Sequence, residues 1–174
     1  MMEQDKRLMH LPRIRIPAGF SDREKRKDKN TPLILYVENL GLSFQYSDYL
    51  LHPFPMVGER IQSVMEKHQR DLNFRRLILV DKKTGIQHRY YGIFASAIDC
   101  VSAVGSGSSW IGEKPEPVID ISKAKDARIF RAKQFKETLF VRLDAAESIL
   151  RREPEGIWFT PVRAGFSAAS NECT

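Results

Sequence analysis

Residues Leu139–Val162 read LFVRLDAAESILRREPEGIWFTPV and contain the clearest local pattern in the chain. The stretch begins with a short apolar segment, Leu139–Val141, that is typical of a strand. It ends with Ile157–Phe159, whose aromatic and β-branched residues also favour a strand. The residues between these segments have the spacing of an amphipathic helix. The stretch therefore predicts a strand, a helix and a second strand in sequence.

The helix is predicted from its first turn and from its buried stripe. Asp144 and Glu147 have the spacing of a capping box, in which two side chains accept hydrogen bonds from the first backbone N–H groups of a helix. Ala146, Ile149 and Leu150 fall at i, i+3 and i+4, so they predict one apolar stripe facing the core. A proline and a glycine follow and are expected to end the helix.

The same pattern occurs 85 residues earlier in the chain. Six apolar positions of the earlier copy each meet an apolar position of the later copy, and the helical and strand positions keep their phase. A shift of one residue is needed to align the strand before each helix. The pattern predicts two related strand-helix-strand halves, and the alternative is a coincidence between two amphipathic helices that each precede a strand. The paired positions are Ile61, Val64, Met65, Leu72, Phe74 and Leu77 with Ala146, Ile149, Leu150, Ile157, Phe159 and Val162.

The rest of the chain adds strands to these two units. Leu72–Val80 and Ile86–Phe94 are rich in β-forming residues and are joined by Asp81–Gly85, a turn sequence with glycine last, so they predict a hairpin. The run Leu33–Val37 predicts a further strand. The expected fold is α+β, with a mixed, largely antiparallel sheet and two short helices.

Charge divides the chain into three predicted regions. Residues 1–30 hold nine lysines and arginines against five acidic residues, whereas the remainder holds 19 against 17. We therefore predict a basic, partly flexible arm over residues 1–30 and a single α+β domain over residues 31–162. Residues 163–174 lack any period and are expected to fray as a tail. A nucleic-acid-binding protein more often concentrates its basic residues on one face of the fold, so a nucleic-acid partner is not favoured.

Composition points to the cytoplasm. No stretch approaches the roughly 20 apolar residues of a membrane span. The first residues mix charges of both signs and lack the apolar core of a secretory signal. Cys100 and Cys173 are the only cysteines, which does not suggest a disulfide framework.

Searches for catalytic chemistry find no motif. The loop Gly105–Ser109 matches neither a nucleophile elbow nor a phosphate-binding loop. The four histidines show neither the spacing of a zinc protease nor any close pairing with cysteine. Asp99 would raise the pKa of the neighbouring Cys100 thiol, which disfavours a nucleophilic role. We therefore expect a binding protein with no enzymatic activity, no cofactor and no metal site.

Three stretches resemble the immunity protein 11 family of bacterial polymorphic toxin systems. They are FPMVGERIQSVMEKHQRDLNFRRLILVD (54–81), RYYGIF with AIDCVS (89–94 and 97–102), and IFRAKQFKETLFVRLDAAESILRREPEGIWFTPV (129–162). The resemblance covers roughly Phe54 to Val162, and the first 50 residues match poorly. It implies a protein that binds and neutralises a cognate toxin in the cytoplasm of the producing or a sibling cell. It supplies no catalytic residues.

The partner-binding residues are predicted from their type. Trp110 follows a glycine-serine loop, and Arg89 and Tyr91 are assigned to the exposed side of the hairpin. Tyrosine, tryptophan and arginine are the side chains that most often anchor protein interfaces. The alternative for Trp110, equally compatible with the sequence, is that its side chain belongs to the core and covers the edge of the sheet.

Two other classes stay open. The first is a nucleic-acid-binding or regulatory module that works through residues 1–30, and the second is a small hydrolase whose cleft no motif reveals. Within the immunity hypothesis, the nearly balanced charge of the predicted domain favours a neutral or acidic toxin over a strongly basic nuclease.

Overall fold

The computed structural model describes residues 1–4, 13–15, 31–38, 46–104 and 117–165. In these ranges the chain forms three helices: α1 (Glu59–His68), α2 (Ile121–Ala124) and α3 (Leu143–Leu150). The strands are β1 (Met2–Gln4), β2 (Arg13–Arg15), β3 (Leu33–Glu38), β4 (Tyr49–Leu50), β5 (Met56–Gly58), β6 (Asn73–Asp81), β7 (Gln87–Phe94), β8 (Ala97–Ile98), β9 (Val101–Val104), β10 (Pro117–Asp120), β11 (Ile129–Ala132), β12 (Phe135–Val141), β13 (Ile157–Phe159) and β14 (Arg163–Gly165).

The strands form three sheets. The large sheet has six strands in the order β2-β3-β6-β7-β5-β4, the second sheet has five in the order β13-β1-β12-β11-β8, and the small sheet has three in the order β14-β10-β9. One neighbouring pair in each sheet is parallel, namely β3 with β6, β8 with β11, and β10 with β14. All other pairs are antiparallel. The predicted α+β fold with mixed, largely antiparallel sheets is confirmed.

The two strand-helix-strand units are present and share one topology. In the first half, α1 connects β5 to β6, and β7 lies between them, antiparallel to both. In the second half, α3 connects β12 to β13, and β1 lies between them, antiparallel to both. An antiparallel strand precedes each unit, β4 in the first half and β11 in the second. The two halves therefore differ in the source of the inserted strand, which follows the first unit but precedes the second.

Both halves bury equivalent residues in one shared core, the inter-sheet core. The helices supply Val64 and Ile149, which stand 85 residues apart, and the matched pair Leu72 and Ile157 lies at the start of the strands that follow, Leu72 directly before β6 and Ile157 as the first residue of β13. Met2 of the inserted strand β1 joins the same cluster. This core contacts both large sheets and both long helices, so it holds the two halves together.

One predicted core position is wrong. Met65 is fully buried on α1, but its counterpart Leu150 on α3 is 51% exposed. The buried residues of α3 are Ala145, Ala146 and Ile149, so the core-facing side of the helix is displaced by one position from the predicted stripe. The small Ala145 is completely buried in the inter-sheet core, whereas Leu150 does not belong to this core and is half exposed.

The predicted capping box is also wrong. α3 begins at Leu143, and its N-cap residue is Arg142, which makes no side-chain capping bond. The Arg142 N–H donates instead to the carbonyl of Arg128 at 2.8 Å, which fixes the start of the helix two residues before the predicted place. Asp144 consequently lies within the first turn, where its carboxylate is 3.7 Å from Arg128 Nε and 3.5 Å from Arg142 Nε.

The first half has the same two interactions at the start of its helix, a backbone hydrogen bond and an ion pair, but the acidic and basic partners of the ion pair are exchanged. The N–H of Gly58, the N-cap of α1, donates to the carbonyl of Asp48 at 3.0 Å, as Arg142 does to Arg128. The Asp48 carboxylate pairs with Arg60, the second residue of α1, at 2.8 Å. Asp144 is the second residue of α3, so each half joins the residue before its first strand to the same position of its helix.

These residues also connect the two halves. Asp48 Oδ2 accepts from the Glu155 N–H at 2.9 Å, and the Asp48 N–H donates to the Glu155 carbonyl at 2.8 Å. On the other side, the Arg128 N–H donates to Gln69 Oε1 at 2.7 Å. Glu155 and Gln69 both follow the helix of their half, so the link is made twice in equivalent places.

The predicted arm and tail contribute strands where they are described. Met2–Gln4 lies inside the second sheet, and Arg13–Arg15 pairs with β3 at the edge of the large sheet. Arg163–Gly165 pairs with β10, so the expectation that the tail frays from residue 163 is wrong for these three residues. Residues 5–12, 16–30 and 166–174 lie outside the described ranges. The region boundaries themselves stay predictions.

The predicted hairpin turn is confirmed. Asp81 Oδ1 accepts hydrogen bonds from the N–H groups of Lys83 and Thr84 at 2.8 and 3.4 Å. Gly85 has a φ of +71°, a left-handed conformation that only glycine adopts without strain.

Within the described ranges, no helix is long and apolar enough to cross a bilayer.

Candidate protein-binding surface

The large sheet buries its two faces unequally. Side chains alternate between the faces along a strand. On β3, Leu35 and Val37 are completely buried in a core cluster that lies on one face of the sheet. Ile34 and Tyr36 point to the other face and are 47% and 44% exposed. A strand of continuous apolar character is thus covered on one side only.

The strand register gathers further apolar residues around these two. Ile34 lies beside Ile78, and Tyr36 lies beside Val80, across the parallel pair β3–β6. Ile78 and Val80 are half-buried. We call Ile34, Tyr36, Ile78 and Val80 the apolar centre, and the part of the sheet that carries them the open face.

Cationic side chains surround the apolar centre. Arg89 on β7 lies directly opposite Ile78 and is exposed. Lys82 follows Val80 by two residues, and its ammonium group lies 4.7 Å from the centroid of the Tyr36 ring, within the range of a cation–π interaction. Arg76 is exposed one row away on β6. We call Arg76, Lys82 and Arg89 the cationic rim.

The helices leave this part of the sheet uncovered because they pack over its other end. Val57 of β5 and Ile93 of β7 belong to the inter-sheet core, and Phe74 packs against it. Phe74 lies opposite Ile93, and Arg76 lies opposite Tyr91, so the register places the covered and the open residues on the same face of the sheet. The helix layer therefore ends between the rows of Phe74 and Ile78.

The predicted binding residues fall in different environments. Arg89 is exposed on the open face. Tyr91 points to the same face but is half-buried against the inter-sheet core, so it marks the border between the covered and the open parts. Trp110 lies outside the described residues.

Ile34 and Tyr36 were not predicted as surface residues. The run LILYV has no polar residue between its apolar ones, and such a run usually indicates a strand that is buried on both faces. Their exposure depends on where the helices end, which is a tertiary property. The sequence of β3 contains no local signal for it.

A cavity of about 180 Å³ lies between the end of α1 and α2 and is a concave alternative to this surface within the described part of the chain. Its lining includes Gln69, Asp71, Lys123, Asp126 and Phe130. The volume is below the roughly 300–1,000 Å³ of typical small-molecule sites. Gln69 is already engaged by the N–H of Arg128, so this residue belongs to the link between the halves.

Cys100 has the environment of a structural residue. Its side chain is completely buried in a cluster with Phe130 and Phe140. Burial is the main cause that raises the pKa of its thiol above the usual value, so the thiolate needed for nucleophilic attack is disfavoured at neutral pH. Among the described residues, no group of three or more histidine, cysteine or acidic side chains is arranged to hold a metal ion.

No family model matches the chain, and no curated protein is similar to it. The resemblance to the immunity protein 11 family therefore stays a hypothesis, based on the three stretches quoted above. The open face is a separate, physical indication of binding.

Proposed function

We propose that this protein is an immunity protein that binds and neutralises a cognate bacterial toxin in the cytoplasm. The observation that carries the proposal is the exposure of Ile34 and Tyr36 at the apolar centre. Contiguous apolar surface on a folded protein often marks a protein-binding site. The resemblance described above is the reason for choosing a toxin as the partner.

The open face has the residue types of an interface anchor. Tyrosine and arginine contribute most to binding energy when they are buried at the middle of an interface. Tyr36 on β3 and Arg89 on β7 lie on the two sides of β6 in one sheet, whose backbone hydrogen bonds hold them in place before any partner arrives. A preformed surface reduces the entropy that is lost on association.

Neutralisation would result from the binding of the toxin to the open face. A standard interface buries about 1,600 Å² in total, so a partner seated on the apolar centre would also contact the surrounding strands and loops. Such a complex blocks the toxin's active site directly or holds the toxin in an inactive state from a distance. Both routes require tight binding and no chemistry from this protein.

The test is rescue by co-expression. The gene next to this one is expected to encode a secreted protein with a toxic C-terminal domain, and we expect the wild-type chain to restore growth when both are produced together. Tyr36→Asp should abolish rescue, because it places a charge in the apolar centre. The matched control is Leu150→Asp, a residue on α3 that is similarly exposed but lies outside the open face.

The outcomes separate clearly. Loss of rescue in Tyr36→Asp with retained rescue in Leu150→Asp supports the proposal, provided that both variants keep the wild-type circular dichroism spectrum. Failure of the wild-type chain to rescue, or full rescue by a folded Tyr36→Asp variant, would contradict it.

A further inference from the structure

We infer that the open face is built for a partner protein whose apolar surface is bordered by acidic side chains. The inference rests on the proposed function for the identity of the partner, but its evidence is the charge of the open face itself. The cationic rim, Arg76, Lys82 and Arg89, borders the apolar centre on exposed positions of β6, β7 and the turn between them.

Charge on this face is one-sided. Among the described residues of β2, β3, β6 and β7 that point to it, the single carboxylate is that of Glu38. Glu38 is engaged by Arg15, whose Nε lies 2.8 Å from Glu38 Oε1. Lys82 and Arg89 therefore have no acidic neighbour among the described residues that point to this face from these four strands.

Position makes this charge effective. Arg89 is the cross-strand neighbour of Ile78, and the Lys82 ammonium lies over the Tyr36 ring, so both residues adjoin the apolar centre. A partner that covers Ile78 and Tyr36 must also exclude water from these two cations. Unpaired charges in a dehydrated interface weaken binding, whereas acidic partners at the same places recover much of the lost affinity.

The chemistry of the centre favours a protein over a nucleic acid. Ile34, Ile78 and Val80 are aliphatic and can neither stack on a base nor donate to a phosphate. Nucleic-acid surfaces rely on aromatic side chains that stack on bases. The one aromatic ring of the apolar centre, Tyr36, already has Lys82 over its face.

The inference is tested with the purified full chain and a designed probe. The probe is a helical peptide with a leucine stripe bordered by glutamates, and its counterpart carries lysines at the same places. We expect the acidic peptide to bind, to weaken as salt rises, and to bind about tenfold less tightly to Arg89→Glu and to Lys82→Glu. Lys125→Glu, an exposed lysine after α2, is the matched control and should bind like the wild type.

Each possible result of this assay either supports or contradicts the inference of a partner with an acidic border. Equal or tighter binding of the lysine peptide, affinity that ignores salt, or equal losses in Lys125→Glu would overturn the inference. Displacement of the acidic peptide by duplex DNA, with DNA bound more tightly at the same rim residues, would assign the surface to nucleic acid instead. No toxin is present in this assay, so failed co-expression rescue together with acidic-peptide binding would count against the proposed function alone.

Discussion

The two halves of this protein share a plan and differ at their outer edges. Each has a helix that connects two parallel strands with a third strand inserted between them. In the first half, β6 is followed outward by β3 and β2. In the second half, β13 is the outermost strand within the described ranges. Beyond the shared plan, the first half thus has two added strands at this edge, and the second half has β8 at the opposite edge.

The difference between the halves coincides with the proposed binding surface, whereas the similarity concerns the common fold. Where the halves agree, the shared residues are buried in the inter-sheet core or fix the ends of helices. The apolar centre, by contrast, lies on β3 and on the end of β6, beyond the region that the helices cover. A feature that only one half carries is not needed to build the common fold. The added strands are therefore the part of the molecule that is free to serve binding.

The largest expected effect on the free energy of unfolding is at Met65, which is buried, whereas its counterpart in the repeat, Leu150, is exposed. Met65→Ala removes a completely buried side chain from the inter-sheet core and should lower the free energy of unfolding by about 2–5 kcal/mol. Leu150→Ala, its counterpart, should change it by less than about 1 kcal/mol because the residue is largely exposed. Urea denaturation measures both, and equal losses would mean that α3 packs in the orientation predicted from the sequence.

A smaller effect on the free energy of unfolding is expected at the ion pairs Asp48–Arg60 and Arg128–Asp144, which occupy equivalent places in the two halves. Asp48 is 18% exposed and accepts hydrogen bonds from both Arg60 and the Glu155 N–H, so Asp48→Ala should cost about 1–3 kcal/mol. Asp144 is 41% exposed and has longer ion-pair distances, so Asp144→Ala should cost less than about 1 kcal/mol.

Asp48→Asn sharpens this test. The amide oxygen can still accept from the Glu155 N–H, whereas the charge opposite Arg60 is lost. We expect a stability between those of the wild type and Asp48→Ala in the same denaturation experiment. If Asp144→Ala proved the costlier of the two alanine substitutions, the link between the halves would not depend on Asp48.

The smallest effect is a pH dependence that belongs to the first half. Its inserted strand carries His88, whose ring stacks on Tyr46 with the ring centroids 3.5 Å apart, whereas β1 carries no histidine. Burial lowers the pKa of His88 below its usual 6.5, more than nearby Asp81 raises it. The unfolded chain then binds a proton more readily than the folded chain. The stabilisation is complete above the unfolded pKa and is lost as the pH falls through the folded pKa.

The measurement is the urea midpoint between about pH 7.5 and pH 5.5, above the range in which most carboxylates titrate. The wild-type midpoint should fall over this interval. His88→Phe keeps an aromatic ring beside Tyr46 without a titrating group, so its midpoint should fall less. An identical pH profile in the two proteins would show that the loss comes from other groups.

Sequence predicted the parts of this fold that depend on neighbouring residues. The hairpin at Asp81–Gly85 and the helix at Glu59–His68 were predicted because turn chemistry and apolar spacing act over a few positions. The two related halves were predicted because the apolar pattern repeats with its phase intact. Each of these signals is contained in one stretch of chain.

The predictions that failed depend on distant residues. Leu150 is exposed because the packing of α3 selects Ala145 for the core, and the capping box is absent because Arg128 fixes the start of the helix. The strand at Met2–Gln4 was not foreseen, since its partners Leu139 and Phe159 lie far away in sequence. Of the candidate surface, the sequence predicts the exposure of Arg89, whereas the continuous apolar run of β3 gives no sign that Ile34 and Tyr36 are exposed.

Because β1 comes from the start of the chain, the two halves are expected to fold in different ways. β7 reaches its place in the first half through a hairpin turn, whereas β1 can enter the second half only when the residues around Leu139 and Ile157 are already near it. Closing so long a loop adds little to the equilibrium cost, because loop entropy grows only with the logarithm of length. It does raise the contact order, which slows folding. The half with the fewer strands is therefore expected to be the last to assemble.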